Sequence, residues 1–195
     1  MRKPISFLIA LALAACGGNV RQQERAVFDL GPTSIVWRTD ALPVQRVEVA
    51  APPWLATSAI HYRLLYAEPE RRLAYADSRW AAPPAELAER ALNRQPGAVS
   101  ACRLRLDIDE WSQAFDSAER SRVVLELRAA LLPVRGDAVL VRKAFAAVQA
   151  APSPDARGGV QASAAALRTA AGEIGAWLAA TASTQPELAK RCAAK

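Results

Sequence analysis

The chain has 195 residues, 52% of them hydrophobic and 23% charged, with a formal net charge of +6 and one histidine. That length fits a single domain able to bury its own core. The basic excess is mild and its arginines are interleaved with Glu and Asp rather than run together, which argues against nucleic-acid binding.

Arg2 and Lys3 open the chain, and Ile5 to Leu13 is apolar apart from Ser6. Small residues follow, in the layout of a secretory signal peptide. The apolar run is too short for a spanning helix, which needs about 20 residues. Its ending, Leu13-Ala14-Ala15-Cys16, is similar to a bacterial lipobox. On that reading residues 1–15 are removed and Cys16 is the lipidation site, anchoring the chain in a membrane. An ordinary secretory cleavage after Ala15 is the alternative. Gly17, where an Asp would favour inner-membrane retention, points within the lipoprotein pattern to the periplasmic face of the outer membrane. Residues 16–25 are then the lipidated cysteine and a short polar tether.

Ala26 to Leu30 reads as a first strand stopped by Gly31-Pro32, while Thr33 to Leu42 is ambiguous. Val44 to Val49 alternates and ends at Pro52-Pro53. Residues 59–76 read as a hairpin, with Ile60, Tyr62 and Leu64 on one face of its first strand. A helix is predicted from Ala85 to Arg94, with prolines before it and Pro96-Gly97 after it. Leu104, Leu106 and Ile108 alternate with charges, and so do Val123, Leu125, Leu127 and Leu131. With Ala138 to Val148, where Val139, Val141 and Phe145 align, they predict a three-stranded antiparallel meander. A long helix follows from about Asp155 to Thr181, with a stripe of Val160, Ala164, Leu167, Ala171, Ile174 and Leu178. Residues 184–195 read as a loose basic tail. The expected fold is therefore one α+β domain over residues 26–183: a mainly antiparallel twisted sheet with two helices packed on it.

Cys102 and Cys192 remain once Cys16 is assigned. They are either a disulfide suited to an oxidising compartment or two free thiols. His61 has no Gly-x-Ser-x-Gly partner motif and reads as a surface histidine. Asp107, Asp109 and Glu110 beside Trp111 could mimic catalytic carboxylates but read better as the wet face of a sheet. Metal ligands of suitable number and spacing are lacking, and Gly158-Gly159 lacks the Lys-Ser/Thr of a phosphate loop. The expectation is a protein with no catalytic residues, no metal and no cofactor. Trp54, Tyr62 and Arg63, gathered around one strand and its loop, are the candidate partner-binding residues, since contact hot spots favour Trp, Tyr and Arg.

In order, Val27-Phe28-Asp29-Leu30-Gly31-Pro32, Val47-Glu48-Val49, Pro53-Trp54-Leu55, Ile60-His61-Tyr62-Arg63, Tyr75-Ala76-Asp77-Ser78-Arg79-Trp80-Ala81, Leu104 to Ile108, Ser121 to Leu125 and the Ala-rich helix ending at Trp177-Leu178 stand behind the lipobox-like motif. In that order the chain resembles the ABC-type transport auxiliary lipoproteins, the lipoprotein component of paraquat-inducible and related MCE transport systems. The resemblance implies a fold like the N-terminal domain of TolB. It also implies an accessory role beside an MCE-domain protein and an ABC transporter that move lipids or apolar compounds. A homo-oligomer fits the same picture, and the family supplies no catalytic residues to carry over. A structural envelope lipoprotein that scaffolds other periplasmic proteins is the alternative, and a lipid-processing enzyme using Asp107, Asp109 or His61 is a third reading.

Overall fold

The computed structural model describes residues 25–32, 35–95 and 97–193. The signal, Cys16 and the tether up to residue 24 lie outside the described residues. Seven strands form one mixed sheet: β1 (Ala26–Phe28), β2 (Val47–Ala50), β3 (Ala59–Leu64), β4 (Glu68–Trp80), β5 (Cys102–Phe115), β6 (Ser121–Pro133) and β7 (Val141–Ala150). Three α-helices complete the domain: α1 (Pro84–Leu92), α2 (Ala156–Thr184) and α3 (Pro186–Cys192).

The strand order is β1-β4-β3-β5-β6-β7, and β2 joins β5 beside β3. The expected meander is present as β5-β6-β7, paired antiparallel along nearly its whole length. The rest is more mixed than the alternation predicts. β2 pairs in parallel with the first half of β5 (Val47 opposite Leu104), and β3 in parallel with its last residues (Tyr62 opposite Gln113). β1 also pairs in parallel, with β4. Strand β5 therefore holds three neighbours.

Period-two alternation sorts the side chains of this sheet. Leu104, Leu106, Ile108 and Trp111 of β5 and Val123, Leu125, Leu127, Ala129 and Leu131 of β6 are buried on one face. The helices cover that face. α1 begins at Pro84 after Pro83, where a missing N–H costs nothing, and buries Leu87, Ala88, Ala91 and Leu92. α2 is capped by the Asp155 carboxylate, which accepts from the Gly158 N–H at 2.7 Å and is held below the usual carboxylate range by that bond. Its buried side is wider than the predicted stripe and includes Ala162, Ala166 and Ala170. Small residues let it lie close: a Cβ on Gly159 would sit 2.1 Å from Gln113 Oε1, and one on Gly175 2.3 Å from the Trp37 carbonyl oxygen.

Two segments differ from the sequence reading. The stretch read as ambiguous, up to Leu42, contributes Ile35, Trp37 and Leu42 to the core. Trp37 donates its indole N–H to the Leu92 carbonyl at 3.1 Å and so ties that segment to the last turn of α1. The C-terminal segment expected as a loose tail forms α3. A disulfide joins Cys192 to Cys102 at the start of β5, 90 residues away in sequence.

Candidate functional site

Among the described residues no helix covers the other face of the sheet. Its β5 positions are Arg103, Arg105, Asp107, Asp109 and Glu110, with Asp109 inside a register shift between Ile108 and Glu110. On β6, Ala130, Arg128 and Glu126 stand opposite Arg105, Asp107 and Glu110, and Val124 and Arg122 continue the same face. These are the residues that alternate with the core set, so the pattern that builds the core also builds this face.

Most of the charges on it are paired. Arg128 grips Asp109 with two hydrogen bonds, 2.8 and 2.7 Å long, and that carboxylate raises its already high pKa. Arg105 reaches Asp107 at 2.9 Å. Arg103 is almost fully buried: it binds Glu48 of β2 and reaches Asp137 at 2.7 Å and the Gly136 carbonyl at 3.1 Å. It thereby fastens the β6–β7 turn, where Gly136 adopts a φ of 94° that only glycine takes readily. Glu110 lies between Arg72 and Arg63, the latter at 3.5 Å.

Two shallow depressions mark this face. One, of about 390 Å³, lies against Arg105, Arg128, Leu132, Val139 and Arg142. The second, of about 340 Å³, is walled by Pro52 and Trp54 and shares Asp107 and Arg128 with the first. Val139, expected to align with the core residues of the last strand, instead precedes β7 and is 53% exposed.

The three residues proposed from sequence for partner binding do not share one surface. Trp54, in a short 3-10 turn (Pro53–Leu55), is 53% exposed beside the second depression. Arg63 lies on the same helix-free face, where it reaches Glu110 and the Pro69 and Glu70 carbonyls. Tyr62 points the other way. Its ring packs 4.7 Å from Tyr75 and 5.8 Å from Phe115. Successive strand residues face opposite sides, so Tyr62 and Arg63 cannot both belong to one contact surface.

His61 is half-buried. Burial lowers its pKa, and the nearby positive charge of Arg72 adds to that effect. Neither ring nitrogen makes a hydrogen bond of regular geometry, while the nearby backbone of Leu73 and Trp54 works weakly in the opposite direction, favouring the charged form. Asp107 and Asp109, the carboxylates considered for catalysis, are both engaged by arginines. Among the described residues no group of three or more His, Cys, Asp or Glu is placed to hold a metal ion, and no helix is long and apolar enough to cross a membrane. Sequence reading missed Arg72 and Arg103, whose roles depend on partners 38 and 55 residues away.

No family model matches the chain, and no curated protein does. Solved structures do. The crystal structure of protein XCC0632 from Xanthomonas campestris, described as family DUF330, has 19% sequence identity and a TM-score of 0.67, covering 83% of this chain and 99% of its own. An uncharacterized protein has 14% identity and a TM-score of 0.61, covering 80% and 99%. At these identities the likeness is one of fold: the α+β sheet with its helices is an arrangement this chain shares with both, over almost their entire length.

Proposed function

We propose that this chain is a bacterial envelope lipoprotein, anchored in the outer membrane through Cys16. On this reading it serves as a non-catalytic accessory subunit of an MCE/ABC-type system that moves lipids or apolar compounds. The observation that carries the reading is the Leu13-Ala14-Ala15-Cys16 motif directly ahead of a folded domain whose first strand starts at Ala26. The tether from Gly17 to Arg25 reaches about 30 Å at most, at about 3.3–3.6 Å per residue. The domain then stays close to the lipid surface, and a partner spanning the periplasm must come to it. Two or more acyl chains, at about 0.8 kcal/mol per buried CH₂, hold such a protein firmly. The arginine-paired carboxylates of the helix-free face support a binding role over a catalytic one.

Membrane fractionation of Cys16→Ala tests the anchor: the variant should move to the soluble fraction, and a variant that stays bound sinks the lipoprotein reading. Co-purification with the MCE-domain protein of the same operon tests the role. Trp54→Ala and Arg63→Ala, which alter one face, should weaken it while circular dichroism stays unchanged. A lipid-anchored protein that captures no MCE-domain protein would favour the scaffolding alternative.

A further inference from the structure

The two edges of the sheet are built differently. The outer edge of β4, before β1 covers its end, carries Glu68, Pro69, Glu70 and Arg71, and its pairing with β3 is broken by register shifts. Charges, proline and irregular pairing are the devices that stop an edge from pairing with another chain. Of these, β7 carries only Arg142 and Lys143, both at its start. Ala144-Phe145-Ala146-Ala147-Val148-Gln149-Ala150 contains no charge, proline or glycine. Its register against β6 runs from Val141 to Ala150 without a shift. No strand or loop among the described residues pairs with its outer edge, and Val148 is 51% exposed.

We propose that this edge pairs antiparallel with β7 of a second copy of the chain, giving a two-fold dimer whose sheet runs unbroken through both copies. The strand is complementary to itself. Residues directly opposite in an antiparallel pair share a face. With the two-fold at Ala146, Ala144 meets Val148 on the helix-free face. Phe145 meets Ala147 on the face beneath α2. Lys143 then meets Gln149 and Arg142 meets Ala150, so no cation faces a cation. Each larger apolar side chain is offered a small one, as close strand packing requires. A closed two-fold pairing of this kind uses the β7 edge of both copies and leaves only the guarded β4 side of each as an edge. It also lies across the sheet from Trp54 and Arg63 and does not depend on the transport reading.

The test uses the full chain purified from membranes in detergent. Ala146 faces its own copy across the two-fold at about 4.5–5.5 Å between Cα atoms, within disulfide range. Ala146→Cys should therefore give a reducible dimer on mild oxidation. Val148→Cys alone should not, whereas Ala144→Cys with Val148→Cys should. Ala146→Lys places like charges opposite each other and should turn a dimeric mass by light scattering into a monomeric one; Ala144→Lys with Val148→Lys, which also sets Lys against Lys, serves if that variant does not fold. A monomeric wild type with no Ala146→Cys dimer overturns the proposal. So does a dimer that survives a folded Lys variant, or cross-linking only to a different protein.

Discussion

Arg72 holds the Glu110 carboxylate with two parallel hydrogen bonds, 2.8 and 2.6 Å long, from strand β4 across to β5. The strands that carry them are not adjacent, since β3 lies between. The pair therefore clamps three strands on the helix-free face. Glu110→Gln should cost about 1–2 kcal/mol at neutral pH, the scale of hydrogen bonds to a charged group reduced for partial exposure. The pH dependence follows from the pKa. Burial works against the charged carboxyl, but hydrogen bonding from Arg72 and its charge, helped by Ser112 and Arg63, outweigh it and lower the pKa. A depressed carboxyl stabilises the fold above its unfolded pKa and loses that contribution as pH falls through the folded value. Urea midpoints of wild type and Glu110→Gln should differ by a constant amount above about pH 5 and converge below about pH 4. A gap unchanged at pH 2 would show that charge is not its source.

Glycines of α2 separate close approach from mere helix propensity. Gly175→Ala drives a methyl to 2.3 Å from the Trp37 carbonyl oxygen, whereas a Cβ on Gly172 meets nothing within 4 Å. The first change should destabilise by about 1–3 kcal/mol. The second should stabilise by up to about 1 kcal/mol, because alanine is the better helix former. Thermal melts of the two variants moving the same way would contradict this contact.

Removing the Cys102–Cys192 disulfide should cost the unfolded-state restraint of a long loop, about 4–5 kcal/mol in the chain-entropy model. Cys192→Ser and reduced wild type should then show matching losses in urea midpoint. The break should also free α3, which is otherwise attached through the Cys192 carbonyl to the Ala101 N–H at 3.0 Å and the Ser100 hydroxyl at 2.9 Å. Amide exchange in residues 186–192 unchanged by reduction would refute that second part.

Two tryptophans provide an internal contrast. Trp37 is 4% exposed and Trp54 is 53% exposed. Trp37→Ala should cost about 3–5 kcal/mol, as a large buried aromatic does. Trp54→Ala should fall within about 0.5 kcal/mol of wild type, leaving partner binding as its measurable effect. Equal losses in chemical denaturation would remove Trp54 as a free surface residue.

The sequence was most legible where one face is core and the other is water. Leu104 to Ile108 and Val123 to Leu131 alternate because their sheet is covered on one side only, and that periodicity reveals the strands and which residues are buried. It does not reveal partners. Nothing in Val47-Glu48-Val49 or Ile60-His61-Tyr62 says that both strands lie parallel to β5, because the side-chain period is the same for either direction. The segment around Trp37 stayed ambiguous for a related reason: it has no regular period, and what holds it is a tertiary contact from Trp37 to Leu92. Tyr62 and Arg63 were grouped by proximity in the chain, although strand geometry sends neighbours to opposite faces. Arg72 and Arg103 read as ordinary surface cations until the sheet brings Glu110, Glu48 and Asp137 to them.

The position of β5 also sets a timetable. Strands β2 and β3 end by Leu64, yet the strand both must join begins only at Cys102 and closes its pairing at Phe115. While the chain emerges from its N-terminus, β3 can pair only with β4, and β2 has no strand to join. Their apolar faces, Val47 and Ile60 among them, wait for residues made much later. Contacts of such long sequence separation slow folding, because chain entropy is lost before the pairing is gained. The N-terminal half thus cannot complete its sheet without the C-terminal half, and the interval before β5 arrives is when a holdase would protect it from aggregation.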